Sequence, residues 1–403
     1  MNRGILSSLA QPSDSKILLL VLDGLGGLPH PKTGRTELES AESPNLDRWA
    51  AEGATGLHDP IARGITPGSG PAHLGLFGYD PVADNVGRGV LSALGAELSL
   101  TARDVAARIN FATRGPDGNI ADRRAGRISS EDGERVAALL AGGIRIPGVE
   151  VTVCAEKEHR AVVVFRGEGL SGDVADTDPQ CTGVPARDPA PTADDPCAAR
   201  TAAVAGEFVT RAREILAGEP AANDVLLRGF AGWDPPRSFH ERYGLRGIAI
   251  AQYPMYRGLA RLVGMGVAPT PASIEEGFDL LPDALGNSDF VYLHIKQTDS
   301  AGEDADFDRK VSVIEEVDAL LPKVEAAAPD IMIVTGDHST PALMGSHSSH
   351  PVPILLRGGH AFVDETRAFG ETVCRTGSLG RFPAREIMAE ALAAAGRLQK
   401  FGA

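Results

Sequence analysis

The sequence contains little cysteine, and the spacing of the few cysteines excludes two common frameworks. Its four cysteines, Cys154, Cys181, Cys197 and Cys374, include no C-x-x-C pair. Neither a disulfide framework nor a thiolate zinc site is therefore indicated. Reduced thiols are typical of a cytoplasmic protein, and we expect this chain to be one.

Long apolar runs are also missing, which argues against a membrane protein. A membrane-spanning helix needs about 20 mostly apolar residues. The run ILLLVL at 17–22 is much shorter and follows a polar segment, so it is neither a membrane helix nor the apolar part of a secretory signal. We expect a soluble protein with no membrane partner.

Positive charge is scarce as well. The chain has 39 Lys and Arg against 54 Asp and Glu, a formal net charge of −15, whereas nucleic-acid binding rests on a basic face. We therefore expect no nucleic-acid partner. A small anionic substrate would need a local reversal of this charge, which bound divalent cations and a few arginines can supply. The sequence does not indicate an oligomeric state.

At 403 residues the chain is longer than one hydrophobic core usually supports, so two domains are expected. Strands and helices alternate near both ends, whereas the middle has strand-like runs among polar turns. We predict an α/β domain made of residues 1–102 and 242–403, with a smaller α+β domain, residues 103–241, inserted between them. The Asp- and Pro-rich loop at 171–196 is either a solvated excursion or a lid, and its composition favours the excursion.

Four apolar runs without polar alternation predict strands covered on both faces, as in a parallel sheet flanked by helices. They lie in KILLLVLDG (16–24), VYLHIKQTD (291–299), IMIVTGDHST (331–340) and VPILLRGG (352–359). Ligands of open α/β sheets bind beyond the carboxyl ends of the strands, so the polar residues beside these runs would meet at one rim. Singly, each has an ordinary explanation as a turn or solvated residue. Together they favour a metal site with the ligands Asp23, Asp299, Asp337, His338 and His347.

Ser69 is the candidate nucleophile. It lies between two glycines in TPGSGPAHLGLF, where the backbone can turn sharply, and the following apolar stretch predicts a helix whose N-terminal amides favour an anion. The alternative is a Gly-rich surface turn. The segment is neither a G-x-x-x-x-G-K-[ST] phosphate loop nor a G-x-S-x-G elbow with an evident triad. A bound divalent cation would therefore have to activate the hydroxyl.

Ten short motifs, spread over most of the chain, carry a family resemblance: KILLLVLDGLGGLP, TPGSGPAHLGLFGYDP, INFATRG, DRRAGRIS, EHR, DTDP, LLRGFAG, FHERYGL, VTGDHSTP and the final KFGA. With these motifs the chain resembles the archaeal-type 2,3-bisphosphoglycerate-independent phosphoglycerate mutases of the alkaline phosphatase superfamily. The resemblance implies an alkaline-phosphatase-like fold. It also implies an enzyme, an isomerase of glycolysis that interconverts 3-phosphoglycerate and 2-phosphoglycerate through a phosphoserine at a two-metal site.

The resemblance further implies a role for each candidate residue. One metal would be held by Asp23, Ser69, Asp337 and His338, and the second by ligands that include Asp299 and His347. Manganese is the implied metal, with zinc and magnesium as alternatives. Ser69 would accept the phosphoryl group, and Lys296 would neutralise it. The implied substrate-binding side chains are Arg123, His159, Arg160 and Arg228, and arginine forks suit carboxylates and phosphates.

The chain departs from the family pattern at three positions. Glu303 stands where the family has a metal-binding histidine, His350 where it has an acid, and Arg257, a catalytic candidate, where it has a lysine. The first two can be an exchange in which both still bind the second metal, provided that they are neighbours. The departures leave two other interpretations open: a related metal-dependent phosphotransferase or phosphohydrolase acting on another small phosphate or phosphonate, and a catalytically inactive binding protein.

Overall fold

The computed structural model describes residues 5–84 and 86–402, within which thirteen β-strands and fifteen α-helices are formed. The strands are β1 (Ile17–Leu22), β2 (Ala54–Asp59), β3 (Asp104–Arg114), β4 (Ile120–Asp122), β5 (Glu150–Ala155), β6 (Arg160–Arg166), β7 (Asp224–Gly232), β8 (Gly247–Ile250), β9 (Gly266–Val267), β10 (Phe290–Ile295), β11 (Ile331–Thr335), β12 (Val352–Gly358) and β13 (Gly380–Pro383). The helices are α1 (Ile5–Leu9), α2 (Glu37–Ser40), α3 (Pro44–Ala51), α4 (Ser69–Leu76), α5 (Arg88–Gly95), α6 (Ser130–Gly143), α7 (Pro196–Ile215), α8 (Phe239–Tyr243), α9 (Pro254–Leu262), α10 (Ile274–Asp279), α11 (Leu281–Asn287), α12 (Gln297–Glu303), α13 (Phe307–Ala327), α14 (Glu371–Cys374) and α15 (Ile387–Ala394). No helix in these ranges is long and apolar enough to cross a membrane.

The chain divides into two units, the larger made of Met1–Asn85 with Pro236–Ala403 and the smaller of Val86–Pro235. The sequence placed the divisions at 102/103 and 241/242. The first division lies earlier because α5 packs on β3 and β7 of the smaller unit. A Cβ added to Gly89 of α5 would stand 2.2 Å from the carbonyl oxygen of Ala106 in β3, so the helix touches that strand's backbone directly. The functions predicted for the two domains stay predictions.

The larger unit contains an eight-stranded sheet in the order β13-β2-β12-β11-β1-β10-β8-β9. All six residues of β1 are buried, and the strand pairs in parallel with both β10 and β11. An apolar core that includes Leu20, Trp49 and Leu293 surrounds the central strands. These observations confirm the predicted mostly parallel sheet flanked by helices, because a strand covered on both faces has no polar side to expose.

The strand β12 differs from its neighbours in direction. It runs antiparallel to β11, with Ile354 opposite Thr335, so the start of β12 lies beside the end of β11. The histidine-rich segment that precedes β12 therefore reaches the same rim as the residues that follow β1, β10 and β11. Sequence alone predicted the rim but not that one strand enters it by its amino end.

The smaller unit contains a five-stranded antiparallel sheet, β4-β3-β6-β5 with β7 paired to β3. Its core lies between this sheet and helices that include α7, where Phe208 packs edge-on against Phe165. The loop at 171–196 belongs to this unit. The Thr177 amide donates to the Leu227 carbonyl in β7, and Val184 accepts from the Ile120 amide in β4. These bonds anchor the loop to the sheet.

The start of α3 shows how a distant residue replaces a predicted cap. In SPNLDRWAAEG (43–53) the sequence predicts a helix with Ser43 as its N-cap and Pro44 at its first position, but the Ser43 side chain makes no capping hydrogen bond. The buried carboxylate of Asp318 in α13 accepts from the Leu46 amide at 2.7 Å and from the Asn45 amide at 3.3 Å instead. Because α13 supplies the acceptor, the cap also ties the two helices together.

We expect Asp318→Ala to lower the free energy of unfolding by roughly 2 to 3 kcal/mol, because two backbone amides lose the carboxylate that accepts their hydrogen bonds. Ser43→Ala is the matched control and should change it by less than about 0.5 kcal/mol, because no cap bond is lost. Urea denaturation of both variants measures the difference. Equal losses would show that the serine caps the helix after all.

Candidate active site

The predicted rim brings together residues from four distant parts of the larger unit. Asp23 follows β1 directly, Asp337 and His338 follow β11, and Asp299 lies in α12, which begins after β10. All four of these side chains are fully buried. His347, from the segment before β12, is partly exposed and completes the set. The structure thus places the five sequence-predicted metal ligands side by side.

A first group is formed by Asp23, Asp337 and His338, whose potential ligand atoms all lie within 4.8 Å of one another. His338 Nε2 is 3.4 Å from Asp23 Oδ1 and 3.1 Å from Asp337 Oδ2. The Ser69 hydroxyl, at the first residue of α4, lies 3.2 Å from the same nitrogen. The candidate nucleophile therefore sits at the edge of a cluster of carboxylate and imidazole ligands.

The two carboxylates of this group are each held by one oxygen. Asp337 Oδ1 accepts from the Gly24 amide at 3.0 Å, and Asp23 Oδ2 accepts from His294 and from the Tyr256 phenol. The other oxygens, Asp23 Oδ1 and Asp337 Oδ2, are buried and have no hydrogen-bond partner among the described residues. Unpaired buried carboxylate oxygens are costly. This donor set fits a divalent cation, and oxygen and nitrogen ligands without thiolate suit manganese, zinc or magnesium.

A second group is formed by Asp299, His338 and His347. His347 Nε2 lies 3.6 Å from Asp299 Oδ1, and its ring stacks on that of His338 with centroids 3.7 Å apart. The Thr340 hydroxyl donates to Asp299 Oδ1 at 2.6 Å and lies 3.0 Å from His338 Nδ1. His338 belongs to both groups, so one imidazole links the two candidate metal positions.

Two of the three departures from the family pattern, Glu303 and His350, lie in different surroundings. Glu303 Oε1 lies 3.7 Å from His347 Nε2, so its carboxylate is next to the second group. The His350 imidazole instead pairs with the Ser348 hydroxyl at 3.0 Å. No ion pair joins the two side chains within the described part of the chain. The exchange hypothesis requires them to be neighbours, and this geometry gives it no support.

Lys296 joins the two groups electrostatically. Its ammonium contacts Asp299 Oδ2 and lies 3.1 Å from Asp23 Oδ2. Burial by itself lowers the pKa of Lys296, but the two carboxylates outweigh burial and raise it above its usual value. Burial likewise opposes ionisation of Asp23, yet the His294 hydrogen bond and the Lys296 charge hold its pKa well below the usual range. The site therefore contains ionised carboxylates beside one ammonium.

Several residues that support these ligands were not predicted from the sequence. His73 lies 3.2 Å from Asp337, and both Tyr256 and His294 bond to Asp23. Lys310 of α13 is fully buried and donates to the carbonyl oxygens of Gly24, Gly26 and Thr340. It thereby fastens the loop after β1 to the loop after β11. In the sequence, the signal available for one of them was a histidine, His294, within the apolar run VYLHI.

Arg257 of α9 is buried, and its Nη1 donates hydrogen bonds to backbone carbonyls. That atom donates to the Ala268 carbonyl at 2.9 Å and approaches the Ala251 carbonyl at 3.4 Å. These two bonds brace the segment that enters α9. The catalytic role predicted for this arginine stays a prediction.

The smaller unit carries a separate cluster of arginines on one face of its sheet. Arg108 of β3 stands opposite Arg228 of β7, and Arg160 of β6 is opposite Asn110, two residues further along β3. Burial and then the charges of Arg108 and Arg228 lower the pKa of Arg88, at the start of α5. Like charges placed opposite one another destabilise a sheet, so this face is suited to an anion.

Carboxylates lie beside two arginines of this cluster. Arg108 pairs with Glu156 at 3.2 Å, and Arg228 lies 3.4 Å from Asp178. Arg88 and Arg108 were not among the predicted binding residues. The sequence signal for Arg108 was a charged residue within a strand that is otherwise apolar and buried on one face.

The other two predicted binding residues of this unit differ from one another. Arg123 forms a two-point ion pair with the buried carboxylate of Asp178, at 2.7 and 2.8 Å, and also donates to Gln180. Its guanidinium is thus largely engaged within the unit. His159 is buried, and burial followed by the Arg160 charge lowers its pKa to about 4. It is therefore neutral at pH 7.

Comparisons with known proteins find relatives of the whole chain. The family model described as 2,3-bisphosphoglycerate-independent phosphoglycerate mutase matches residues 50–222. A Thermus thermophilus protein named "Probable 2,3-bisphosphoglycerate-independent phosphoglycerate mutase" is 49% identical over 403 residues, covering 99% of both chains. A Thermotoga neapolitana protein of the same name is 47% identical, over 98% of both chains.

Two solved structures are similar to this one over nearly their full length. The cofactor-independent phosphoglycerate mutase of Thermoplasma acidophilum is 31% identical with a TM-score of 0.73, covering 95% of this chain and 100% of its own. A protein from Pyrococcus horikoshii is 31% identical with a TM-score of 0.83, covering 96% and 99%.

Because His338 belongs to both ligand groups and His347 to one, their removal should affect metal binding differently. We expect His338→Ala to weaken binding of both Mn²⁺ ions by at least about tenfold, and His347→Ala to weaken one ion and leave the other within about threefold. Calorimetric Mn²⁺ titration of the purified protein measures both constants. Identical binding curves for the two variants would contradict the two-group arrangement.

Proposed function

Since the chain belongs to the 2,3-bisphosphoglycerate-independent phosphoglycerate mutase family, we propose that it interconverts 3-phosphoglycerate and 2-phosphoglycerate through a phosphoserine at Ser69. The observation that carries this proposal is the position of the Ser69 hydroxyl, 3.2 Å from His338 and beside two carboxylates that each keep one unpaired oxygen. Ser69 also begins α4, whose N-terminal amides favour an anion.

The proposed reaction has two matched half-reactions. The Ser69 hydroxyl loses its proton and its oxygen attacks the phosphorus of bound phosphoglycerate; the bond from phosphorus to the glycerate oxygen breaks, and the glycerate oxygen takes up a proton as the phosphoserine forms. The glycerate reorients without leaving. Its other hydroxyl then loses its proton and attacks the phosphorus of the phosphoserine; the bond from phosphorus to the Ser69 oxygen breaks, and the Ser69 oxygen takes up a proton. No net water or phosphate is consumed, so the enzyme is an isomerase.

The first group, with Ser69, would hold one divalent cation and the second group another, with Glu303 as a further ligand of the second. Carboxylate-rich ligands make manganese our proposed metal, with zinc and magnesium as alternatives. Bound divalent cations would lower the pKa of the serine hydroxyl and offset phosphoryl charge. Lys296, already beside Asp23 and Asp299, adds a positive charge close to the nucleophile.

The arginine face of the smaller unit is the proposed grip on the substrate's carboxylate and phosphate. Arg160 and Arg228 were predicted for this task, and burial together with the charge of nearby Arg108 lowers the pKa of Arg88. His159 is neutral and buried beside Arg160, so it would serve as a hydrogen-bonding group and not as a charge. Planar guanidinium forks bind both anionic groups in two-point fashion.

The first test is a coupled enolase assay with 3-phosphoglycerate and Mn²⁺, run beside a measurement of free phosphate. We expect turnover without phosphate release, and Ser69→Ala should lower turnover by more than about a thousandfold because the phosphoryl acceptor is gone. Ser312→Ala, a serine on the surface of α13, is the control and should be unaffected. Mass spectrometry of trapped enzyme should find phosphate on Ser69.

Two results would contradict the proposal. Phosphate found on another residue, with Ser69→Ala still active, would remove the phosphoserine mechanism. Phosphate release without mutase turnover would instead favour a phosphohydrolase acting on another small phosphate or phosphonate.

A second test concerns the arginine face. Arg228→Lys keeps the charge but loses the planar fork, so we expect KM for 3-phosphoglycerate to rise about tenfold or more. Arg135→Lys is the matched control, because this arginine is exposed on the same unit and bonds to Glu219. Steady-state kinetics of both variants decide the matter. An unchanged KM for Arg228→Lys would show that the substrate does not use this face.

A further inference from the structure

The phenol of Tyr256 touches two charged groups of the candidate active site through one oxygen. It donates its single hydrogen to Asp23 Oδ2 and accepts from the Lys296 ammonium at 3.3 Å. One side chain thus connects a candidate metal ligand with the site's lysine.

The position of this oxygen is fixed by packing. Tyr256 lies on α9 and is fully buried, and its ring stacks on His294 with centroids 3.7 Å apart and planes 30° from parallel. The His294 imidazole bonds to the same Asp23 oxygen at 3.1 Å. The ring therefore cannot move without disturbing the group that also holds Asp23. Rigid support of this kind is what a group that orients a ligand requires.

These bonds have one geometrical consequence. Asp23 Oδ2 is occupied by Tyr256 and His294, which leaves Oδ1 without a hydrogen-bond partner among the described residues. The phenol also contacts the Lys296 ammonium, which lies beside Asp23 and Asp299. Removing the phenol oxygen would free the rotation of the Asp23 carboxylate and take one acceptor from Lys296.

We propose that Tyr256 is a positioning residue that couples Asp23 to Lys296, orienting the carboxylate for metal binding and the ammonium for the phosphoryl group. The part that concerns the phosphoryl group rests on the proposed function, whereas the part that concerns Asp23 does not. Tyr256 would neither give up nor take a proton during turnover.

Tyr292 of β10 is a close control for this assignment. It is as fully buried as Tyr256 and packs in the same aromatic cluster, with its ring edge-on to Phe77 at 5.0 Å. Its hydroxyl has no hydrogen-bond partner among the described residues. Tyr→Phe at either position removes one buried oxygen and keeps the ring, but only at Tyr256 does it remove bonds to the site.

The experiment compares Tyr256→Phe and Tyr292→Phe with the unchanged protein. Free Mn²⁺ is measured by electron paramagnetic resonance during titration without substrate, and kcat and KM are measured in the coupled mutase assay. For Tyr256→Phe we expect the Mn²⁺ affinity of one of the two metal positions to fall about tenfold. We expect kcat to fall about 10- to 100-fold, with KM within about threefold. Tyr292→Phe should stay within about twofold in all three.

Three outcomes would overturn the inference. Tyr256→Phe with Mn²⁺ affinity within twofold of the unchanged protein removes the role toward Asp23, and unchanged kcat in an active enzyme removes the role toward Lys296. Equal losses in the two variants would mean that any buried hydroxyl in the cluster matters only for packing. If the unchanged protein lacks mutase turnover, the proposed function fails, and the Mn²⁺ titration alone still decides whether Tyr256 orients Asp23.

Discussion

The constraint on which the site depends is the complete burial of three aspartates, Asp23, Asp299 and Asp337, at one rim of the sheet. Like charges brought together away from water repel strongly, and each uncompensated one costs several kcal/mol. Lys296 brings a positive charge into contact with two of them, Asp23 and Asp299. The remaining negative charge, with two unpaired carboxylate oxygens, is what makes this rim suited to divalent cations.

Much of the surrounding structure serves to hold these charges in place. The buried Lys310 ammonium donates hydrogen bonds to three backbone carbonyls of the ligand loops. The Thr340 hydroxyl bonds to Asp299 and also contacts His338. One face of the smaller unit's sheet has the opposite imbalance, because Arg108 and Arg228 stand opposite one another on neighbouring strands. An acidic chain can therefore bind an anion, because several of its arginines are gathered on one face.

The sequence was informative where one physical cause dominates. Uninterrupted apolar runs predicted β1, β10, β11 and β12, since a strand buried on both faces tolerates no polar alternation. The same logic located Asp23, Asp299 and Asp337, which follow three of those runs. It did not locate Tyr256 or Lys310, because a tyrosine or lysine in an amphipathic helix has the same sequence pattern whether it supports a site or covers the surface.

Sequence by itself therefore determined the family, the mostly parallel sheet, the nucleophile candidate and the ligands that lie directly beside strand ends, because each depends on local chain chemistry or on a short motif. Tertiary structure alone decided which groups share a partner. That Asp318 caps α3, and that Asp178 engages Arg123 while Arg88 joins the arginine face, depend on contacts between segments far apart in the chain. Such contacts are set by how the elements pack, and packing geometry has no periodic signature in the sequence.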